Sequence, residues 1–387
     1  EAWMMNERQE KEYQSVVLGA LLHDVGKFMQ RAEVELTDIS RGMETTLCPM
    51  YEGRSSHKHV LWTDHFFENY ASFPSGFNKS VVGKLSAIHH KPDSALAEII
   101  TIADRLSSGM DRNTDETDEG MGKDAYKRLR LRSIFESVML DSPFNKDVVN
   151  RYELRHLEEL GVAFPVRQDI LKPVEGELLV TEYKRLWDGF EKDVKGINSD
   201  DFAAFFSAMI QVLKKYTWCI PSSTVDFPDI SLYDHLKTTA AIAGCLYLYH
   251  APDLNEKAIR DVDTAKFKLL AGDMSGIQKY IFNISHIGAG GSAKRLRARS
   301  FTVSVMAEIV THKFMREFGL TESNILMASG GKFYIAFVHV PFKILHVADV
   351  LVYGEINHSS FSVGSKIARA VCEINNSIYV FCGESEL

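Results

Sequence analysis

The spacing of apolar residues changes along this chain of 387 residues, and the change limits the folds that the chain can adopt. Over the first hundred residues, clearly so in Ala95 to Ser107, and again in Asp201 to Tyr216 and Leu232 to Tyr249, apolar residues recur at helical spacing. Around Phe267 the spacing changes, and KFKLLAGD is typical of a strand that ends at Asp273. The sequence therefore predicts an α+β chain whose N-terminal part is all-α.

The residues after Asp273 predict a mixed unit. Helix signals run from Gly276 to Ser285, a glycine-rich loop follows at 288–291, and a further helix continues to about Phe318. The apolar segments NILMAS and FYIAFVHV then flank Gly330-Gly331, a pattern typical of a hairpin with a tight turn. A strand, helices and a hairpin in this order favour an α+β unit of the ferredoxin-like or palm type.

Composition excludes several classes of protein. With 45% hydrophobic and 25% charged residues, the chain is neither collagen-like, nor disordered, nor a disulfide scaffold. A net charge of -8 excludes a protein that holds nucleic acid by bulk positive charge. The five cysteines form no CxxC pair, and the longest apolar stretch, Ala240 to Tyr249, is too short to span a membrane. These features, with a polar start unlike a signal peptide, predict a cytoplasmic protein without a membrane partner.

Histidines and aspartates in the first hundred residues suit a catalytic divalent metal ion. The sharpest element is HDVGK, in which His23 and Asp24 follow an apolar helix and Gly26 is expected to end it. Adjacent residues of a helix point about 100° apart, so the pair can bind one ion or bridge two. An ion held there would activate water for attack on a phosphodiester. The candidate ligands are His23, Asp24, His57, His59, Asp64, His65, His89, His90 and Asp104.

Not all of these candidates carry equal weight. For His57, Asp64 and His65, a solvated helix face is the favoured interpretation. His59 is preferred over His57, because its spacing from the apolar residues is that of a side chain turned inward. The sequence does not separate His89 from His90. Lys27 follows the dyad and can add positive charge beside a phosphate, with a solvated lysine as the alternative.

Four blocks of the sequence occur together in a specific order. They are LLHDVGKFMQRA at 21–32, TWCIPSSTVDFPDISLYDHLKTTAAIA at 217–243, GDMSGIQKYIF at 272–282 and AKRLRARSF at 293–301. These blocks resemble the large subunit of type III-A CRISPR effector complexes. The resemblance implies an HD domain over 1–110, circularly permuted relative to other HD nucleases, then a linker and helical part over 111–260 and a first palm, similar to nucleotide cyclases, over 261–350.

The activity implied by this resemblance is that of an HD-type phosphodiesterase in antiviral defence. The HD site of the family cuts single-stranded DNA when the complex, with its guide RNA and sister subunits, binds a target RNA. By the same resemblance Mn²⁺ is the favoured ion, with Ni²⁺, Co²⁺, Mg²⁺ and Fe²⁺ as alternatives. The residues that match the family's metal-binding pattern are His23, Asp24, His59, His89 or His90, and Asp104.

The palm blocks imply further sites. Asp273, Ser275 and Gly276 match a nucleotide-binding turn, with a helix cap as the alternative, and Gly330-Gly331 match the turn of an active palm. Contact with RNA or phosphate is predicted for Lys294, Arg295, Arg297 and Arg299, with a solvated helix face as the alternative. His235 and Trp218 match family blocks without an assignable role, and burial near the palm is the expectation for both.

A second family activity uses ATP to make cyclic oligoadenylates at paired palms. Here Lys332 and Phe333 follow the glycine pair, where an active palm has two aspartates. Residues 351–387 resemble a fragment of a degenerate second palm, with Gly383 to Glu386 in place of Gly-Gly-Asp-Asp. The sequence therefore favours the nuclease over the ATP-dependent synthase, and leaves a non-catalytic scaffold of the complex as a further alternative.

Overall fold

The structure is a computed structural model, and its described residues form two compact units. The helical unit comprises the described part of Asn6–Ala243 and Leu254–Arg260, and the sheet unit that of Glu1–Met5, Gly244–Asp253 and Asp261–Leu387. The chain is thus α+β, as predicted. The described residues are 5–70, 73–74, 76–108, 125–137, 149–159, 163–171, 179–223, 228–282, 291–339, 370–374 and 378–386.

Helices form most of the helical unit. Two short antiparallel hairpins and single turns of 3-10 helix at Ala125–Lys127, Ile134–Ser137 and Gln168–Ile170 accompany them. The hairpins pair β1 (Met50–Tyr51) with β2 (Arg54–Ser55) and β3 (Asn150–Arg151) with β4 (Val166–Arg167). The helices are α1 (Glu7–Leu22), α2 (Val25–Arg31), α3 (Asp38–Gly42), α4 (Glu44–Leu47), α5 (His59–Asn69), α6 (Lys79–Ala87), α7 (Ala95–Ser107), α8 (Val180–Lys195), α9 (Phe202–Thr217), α10 (Leu232–His250, shared with the sheet unit) and α11 (Glu256–Arg260).

The long helices predicted for this unit are present, and one long helix was missed, along with the short α3, α4 and α11. Helix α7 begins and ends at the residues that the apolar spacing indicated, because Ser94 caps its first turn. Helix α8 lies where the sequence signals were weak. Its buried face packs against α2 and α5 through Trp187 and Phe190, whose ring centroids lie 5.3 and 5.7 Å from that of Phe28. The helical spacing of its buried residues is the signal that could have predicted α8. These residues are Tyr183, Leu186, Trp187, Phe190 and Val194.

The expected helix end at Gly26 is wrong. Helix α1 ends at Leu22, and Gly26 lies inside the next helix, α2. A Cβ atom at Gly26 would stand 2.1 Å from the backbone oxygen of His59 and 2.6 Å from the backbone nitrogen of Thr63. The glycine is therefore required by the close crossing of α2 over α5, and not by a helix terminus.

The sheet unit is built on one antiparallel sheet of five strands in the order β6-β7-β5-β9-β8. The predicted strand, helices and hairpin are all present, and Phe314 of the long helix packs on Phe333 of the hairpin with ring centroids 6.2 Å apart. The elements are β5 (Phe267–Ser275), α12 (Ile277–Phe282), α13 (Ser292–Glu317), a 3-10 turn (Glu322–Asn324), β6 (Ile325–Ser329), β7 (Lys332–Val338), β8 (Ala370–Ile374) and β9 (Ile378–Glu386).

The C-terminal strands belong to this same sheet. Gly383 pairs with Ala271 and Glu386 with Lys268, so the segment that resembles Gly-Gly-Asp-Asp lies along one end of β5. The Gly330-Gly331 turn lies at the other end, where the Gly331 oxygen accepts a hydrogen bond from the Met274 nitrogen at 2.8 Å. The structure therefore adds residues 378–386 to the first sheet, whereas the sequence assigned them to a second palm.

Some sequence expectations fall outside the described residues. They are the acidic boundary at 111–119 and most of the glycine-rich loop at 288–291. The domain limits at 110, 260 and 350 stay predictions. Among the described helices, none has both the length and the apolar character needed to cross a membrane.

The close crossing of α2 and α5 generates a prediction. Gly26→Ala is expected to lower the free energy of unfolding by about 3 kcal/mol, the upper part of the range for overpacking, because the new methyl group meets backbone atoms. Chemical denaturation measures the change. Gly42→Ala is the matched control, since nothing lies within 4 Å of its Cβ position. Equal stability of the two variants would contradict the assigned crossing.

Candidate metal centre

The break between α1 and α2 turns the His23-Asp24 dyad into the core of the helical unit. His23 caps the end of α1 and Asp24 precedes α2, and their side chains are 0% and 1% exposed. Thr63 of α5 holds the break: its hydroxyl donates to the His23 carbonyl oxygen at 2.8 Å and accepts from the Gly26 nitrogen at 3.2 Å. The dyad is therefore oriented by a neighbouring helix, and not by helical geometry alone.

A first group of ligand atoms surrounds one oxygen of Asp24. His59 Nε2 lies 3.0 Å and His89 Nε2 lies 3.8 Å from Asp24 Oδ1. His90 Nε2 lies 3.3 Å from His59 Nε2, so both neighbouring histidines, which the sequence left unresolved, belong to this group. The four ligand atoms all lie within 4.8 Å of one another, a spacing that can hold a metal ion.

A second group surrounds the other oxygen of Asp24. It joins Asp24 to His23, Asp104 and His235, all four of them buried. His235 Nε2 lies 3.2 Å from Asp104 Oδ1, 3.3 Å from Asp24 Oδ2 and 3.2 Å from His23 Nε2. The two groups of ligand atoms thus share one carboxylate, whose two oxygens can bridge a pair of metal ions.

His235 is the site residue that sequence reasoning missed. Burial was the expectation for it, and it is buried, at 4% exposure, but among ligand atoms. It lies in the first turn of α10, more than a hundred residues after Asp104 in the chain. The family block at 217–243 contained it, but no local pattern indicated that α10 approaches the dyad.

In His23 and His89, hydrogen bonds of the Nδ1 atom determine that the Nε2 atom faces the ligand groups. His23 Nδ1 donates to the Ala20 carbonyl oxygen at 2.7 Å, and His89 Nδ1 donates to the Ser86 carbonyl oxygen at 2.6 Å. A carbonyl oxygen only accepts, so the proton of each neutral ring is on Nδ1 and the Nε2 lone pair points inward. Metal-ligating histidines are held in this way.

Two buried atoms of the first group are not paired as such atoms normally are. His89 Nε2 makes no hydrogen bond with the described residues, and the nearest ring nitrogen to Asp24 Oδ1 is His59 Nε2, at 3.0 Å. Buried polar atoms are nearly always hydrogen-bonded, so His89 Nε2 in particular calls for a ligand of another kind. Imidazole nitrogen with carboxylate oxygen is a donor set for divalent transition metals. The residues present therefore fit a divalent metal ion.

The charges of the centre favour a cation. Burial opposes the charged form of His23, but the carboxylates of Asp24 and Asp104 outweigh it and raise the pKa of His23 to about 10. Burial lowers the pKa of His89 to about 3, with the charge on His23 adding to the effect. Burial likewise lowers the pKa of His59. The carboxylates thus stabilise positive charge at the centre, while these two outer histidines stay neutral and able to ligate.

Lys27 contacts the centre directly. Its Nζ lies 2.6 Å from Asp24 Oδ2 and donates to the Ser222 carbonyl oxygen at 3.3 Å. Burial opposes ionisation of Asp24, but Lys27, followed by His23 and His59, holds the pKa of that carboxyl well below its usual range. Lys27 therefore balances the Asp24 charge in this structure, and its contact with a substrate phosphate stays a prediction.

The other histidines of the region lie outside both groups. His57 is exposed, with its ring centroid 4.0 Å from that of His90 at the edge of the first group. His65 is buried, and its Nδ1 lies 3.0 Å from the Ser40 hydroxyl oxygen. Neither His65 nor Asp64 joins a ligand group in the described part of the chain. The preference for His59 over His57 agrees with this geometry.

The predicted nucleotide-binding residues of the sheet unit meet at one corner of the sheet. Asp273 is exposed near the end of β5, and the exposed Gly276 follows that strand with a φ of 80°. Gly331 has a φ of 84°, and a Cβ there would meet Ile277 Cδ1 at 2.3 Å. Gly330, with a φ of 60°, completes the hairpin turn. The turns explain these glycines by themselves, and nucleotide binding by them and Ser275 stays a prediction.

The predicted basic stretch lies at the start of α13. Lys294, Arg295 and Arg297 are exposed. Arg299 instead donates to the Tyr280 carbonyl oxygen at 2.7 Å, with its guanidinium carbon 5.4 Å from the centre of the Tyr280 ring. Arg299 therefore links α13 to α12. The three exposed cations, Lys294, Arg295 and Arg297, are the ones whose contact with RNA stays a prediction.

Comparison with known proteins shows that the chain is similar to CRISPR proteins. Residues 266–349 match the family described as Csm1 subunit domain B. A protein of Methanocaldococcus jannaschii named CRISPR system single-strand-specific deoxyribonuclease Cas10/Csm1 (subtype III-A) is 30% identical over 94% of this chain and 45% of its own length. A protein of the same name from Enterococcus italicus is 29% identical over 86% of this chain and 42% of its own. The chain thus spans less than half of these relatives.

Solved structures support the same fold. The crystal structure of Csm1 in T. onnurineus matches with a TM-score of 0.57 and 22% identity, over 88% of this chain and 41% of that one. The Csm1-Csm4 cassette in complex with cA4 matches with a TM-score of 0.54 and 22% identity, over 85% of this chain and 40% of that one. At this identity the likeness concerns the fold alone.

The shared carboxylate generates a binding prediction. Asp24→Asn is expected to abolish Mn²⁺ binding at both ligand groups, whereas His235→Ala weakens one group by about 10- to 100-fold and spares the other. Equilibrium dialysis with Mn²⁺ measures both stoichiometry and affinity. His156→Ala is the control, because His156 pairs with Glu159 outside both groups. Full Mn²⁺ binding by Asp24→Asn would contradict the shared role of this carboxylate.

The Lys27-Asp24 pair generates a second prediction. Lys27→Met is expected to lower the free energy of unfolding by about 3 kcal/mol without added metal, because the buried Asp24 carboxylate loses its partner. Mn²⁺ should restore this loss, since the ion supplies the missing charge. Thermal denaturation with and without Mn²⁺ tests the expectation. An equal Mn²⁺ stabilisation of the variant and the wild-type protein would refute it.

Proposed function

The chain belongs to the family of Cas10/Csm1 large subunits of type III-A CRISPR systems, and from this premise we propose that it is a metal-dependent nuclease that cuts single-stranded DNA. The observation that carries the proposal is the buried pair of ligand groups joined by Asp24. The names of the relatives, single-strand-specific deoxyribonucleases, supply the substrate class. The proposed catalytic residues are His23, Asp24 and Lys27.

The proposed chemistry is hydrolysis of a phosphodiester bond. Bound divalent ions would supply an activated water molecule and neutralise charge that develops on the phosphate. His59, His89, His90 and Asp24 would hold one ion, and His23, Asp104, His235 and Asp24 another. Mn²⁺ is the proposed ion, and the donor set also admits Ni²⁺, Co²⁺, Mg²⁺ and Fe²⁺.

The residues of the chain contribute orientation and charge. The carbonyl oxygens of Ala20 and Ser86 keep the inward nitrogens of His23 and His89 unprotonated in the neutral rings. The Lys27 side chain is 27% exposed, whereas that of Asp24 is 1% exposed. Lys27 can therefore reach a phosphate that approaches from solvent. Its Nζ can exchange the Asp24 carboxylate for a phosphate oxygen once an ion balances Asp24.

We further propose that the two units are the HD domain and the first palm of the family. The helical unit carries the His23-Asp24 dyad, and the sheet unit contains the match to Csm1 subunit domain B. In the sheet, β5 lies between the second strand of the hairpin and a later strand, the order of a ferredoxin-like unit. Guide RNA, target RNA and sister subunits in the cytoplasm are the proposed partners, with Lys294, Arg295 and Arg297 as RNA contacts.

The ATP-dependent alternative has less support from the geometry. At the Gly330-Gly331 turn the next residues are Lys332 and the fully buried Phe333, so this turn supplies no carboxylate for a metal ion. Glu384 and Glu386 pair with Leu270 and Lys268, away from that turn. Paired carboxylates are what nucleotidyl transfer with two ions requires. The nuclease is therefore the function that we propose.

Cleavage by the assembled complex tests this function. Labelled single-stranded DNA with Mn²⁺ is expected to be cut when target RNA is present, and the double variant His23→Ala/Asp24→Ala should abolish cutting, because both ligand groups lose a member. Gel electrophoresis of the labelled DNA provides the readout. His156→Ala, remote from both groups, should cut at the wild-type rate.

Two outcomes would speak against the nuclease. Cutting that survives in the double variant would locate the activity elsewhere in the complex. If no DNA is cut but complex assembly and target binding persist, the scaffold interpretation replaces the nuclease. Conversion of labelled ATP in the same reactions would reinstate the synthase.

A further inference from the structure

Arg31 is a buried cation at the end of α2. It is 2% exposed, and no carboxylate of the described residues lies within ion-pair distance of it. Its guanidinium donates to the Pro221 carbonyl oxygen at 2.5 Å, and its Cζ lies 5.9 Å from the centre of the Tyr183 ring. Burying a guanidinium without a carboxylate costs free energy of desolvation. The hydrogen bond to Pro221 and the contact with the Tyr183 ring offset part of this cost.

Pro221 belongs to a short backbone ladder that leads into α10. The Ser222 nitrogen donates to the Ile230 oxygen at 2.9 Å, and the Leu232 nitrogen donates to the Ile220 oxygen at 2.6 Å. Pro221 and Ser231 face each other between these two bonds as an isolated bridge. We call residues 220–222 and 230–232 the strap.

The strap determines where α10 begins. The Ser231 hydroxyl accepts a hydrogen bond from the Asp234 nitrogen at 3.0 Å, which is the geometry of a helix cap. The His235 nitrogen donates to the Ser231 oxygen at 3.1 Å, so His235 lies one turn from the strap. A displacement of the strap therefore displaces His235 with it. Ser107 of α7 holds the same turn from the other side: its hydroxyl oxygen lies 3.2 Å from His235 Nδ1, donates to the His235 oxygen at 3.3 Å and lies 2.6 Å from the Thr238 hydroxyl oxygen.

Helix α2 grips the strap at two consecutive carbonyl oxygens. Lys27 Nζ donates to the Ser222 oxygen, and Arg31, one turn further, donates to the Pro221 oxygen. Lys27 contacts both this oxygen and the Asp24 carboxylate, whereas the hydrogen bond of Arg31 is to the strap. The helix that follows the dyad thus also holds the segment that delivers the last ligand of the second group.

We propose that Arg31 is a positioning residue of the metal centre. It locks the strap to α2 and thereby sets His235 Nε2 at 3.2 Å from both Asp104 Oδ1 and His23 Nε2. The inference rests on the proposed metal-dependent function. It assigns a role at the metal centre to a residue whose hydrogen bond is to the strap and not to a ligand atom. Its effect is confined to the second group, because His59, His89 and His90 are held by α5 and by the end of α6.

The test compares Mn²⁺ binding by the full chain and its variants in equilibrium dialysis. Arg31→Met is expected to weaken one class of Mn²⁺ site by about 10- to 100-fold and to leave the other class unchanged. Arg31→Lys, which keeps a donor for the Pro221 oxygen, should recover part of the loss. Adding Arg31→Met to His235→Ala should weaken binding no further, since both changes act on the same ligand.

Val194→Ala is the matched control for a general loss of stability. Val194 is a buried residue of α8 away from the strap, and this variant should lower the melting temperature without separating the two classes of site. Thermal denaturation of every variant shows which of them fold. If Arg31→Met does not fold, Arg31→Lys carries the comparison, and its two classes of site must differ as described.

The possible results separate the two proposals. If Mn²⁺ binds Arg31→Met and the wild-type protein alike, or if both classes weaken equally as a general effect, the role of Arg31 is overturned while the nuclease proposal stands. Absence of Mn²⁺ binding by the wild-type chain would overturn the proposed function, and this inference with it.

Discussion

The helical unit is organised around one buried carboxylate. Asp24 is 1% exposed, and a charge in that position is tolerated only where other groups compensate it. Positive charge comes from the neighbouring Lys27 and from His23, while ring nitrogens from distant parts of the chain surround the carboxylate: those of His59 on α5, His89 after α6 and His235 on α10. The contacts between these helices and the chemistry of the centre therefore involve the same group.

Hydroxyl and carbonyl groups keep the convergence rigid. Thr63 joins the break before α2 to α5, Ser86 donates to the Gly19 oxygen of α1 at 2.9 Å, and Thr101 of α7 donates to the His89 oxygen at 2.6 Å. Each bond satisfies a backbone oxygen near a helix end, where the helix itself offers no donor. The ligand atoms thus rest on a second layer of neutral contacts, which is how metal centres are held in geometry before an ion binds.

The sheet unit contributes differently. Its antiparallel sheet and the match over residues 266–349 relate the chain to the large CRISPR subunits, but the turn at Gly330-Gly331 lacks the acidic pair of an active palm. The exposed cations at the start of α13 are the residues proposed to contact RNA. Because the chain spans less than half of its relatives, the activity of the whole protein is proposed here from the helical unit.

Local patterns were enough to determine much of this protein. Apolar spacing determined α7 and the hairpin around Gly330-Gly331, and the order of His23, Asp24, His59 and Asp104 indicated a metal centre. The helix and the hairpin depend on side chains close together in the chain, where periodicity and turn chemistry act directly, whereas the metal centre was indicated by residue types and their order over the first hundred residues.

Tertiary structure alone decided the rest. His235 lies among the candidate ligand atoms only because the start of α10 approaches the dyad, and Gly26 is needed only because α5 crosses there. The register of β9 against β5 likewise depends on a partner strand about a hundred residues away. Contacts between distant segments leave no periodic trace in the sequence, since the residue types that suit them, a histidine or a glycine, suit many local structures equally well.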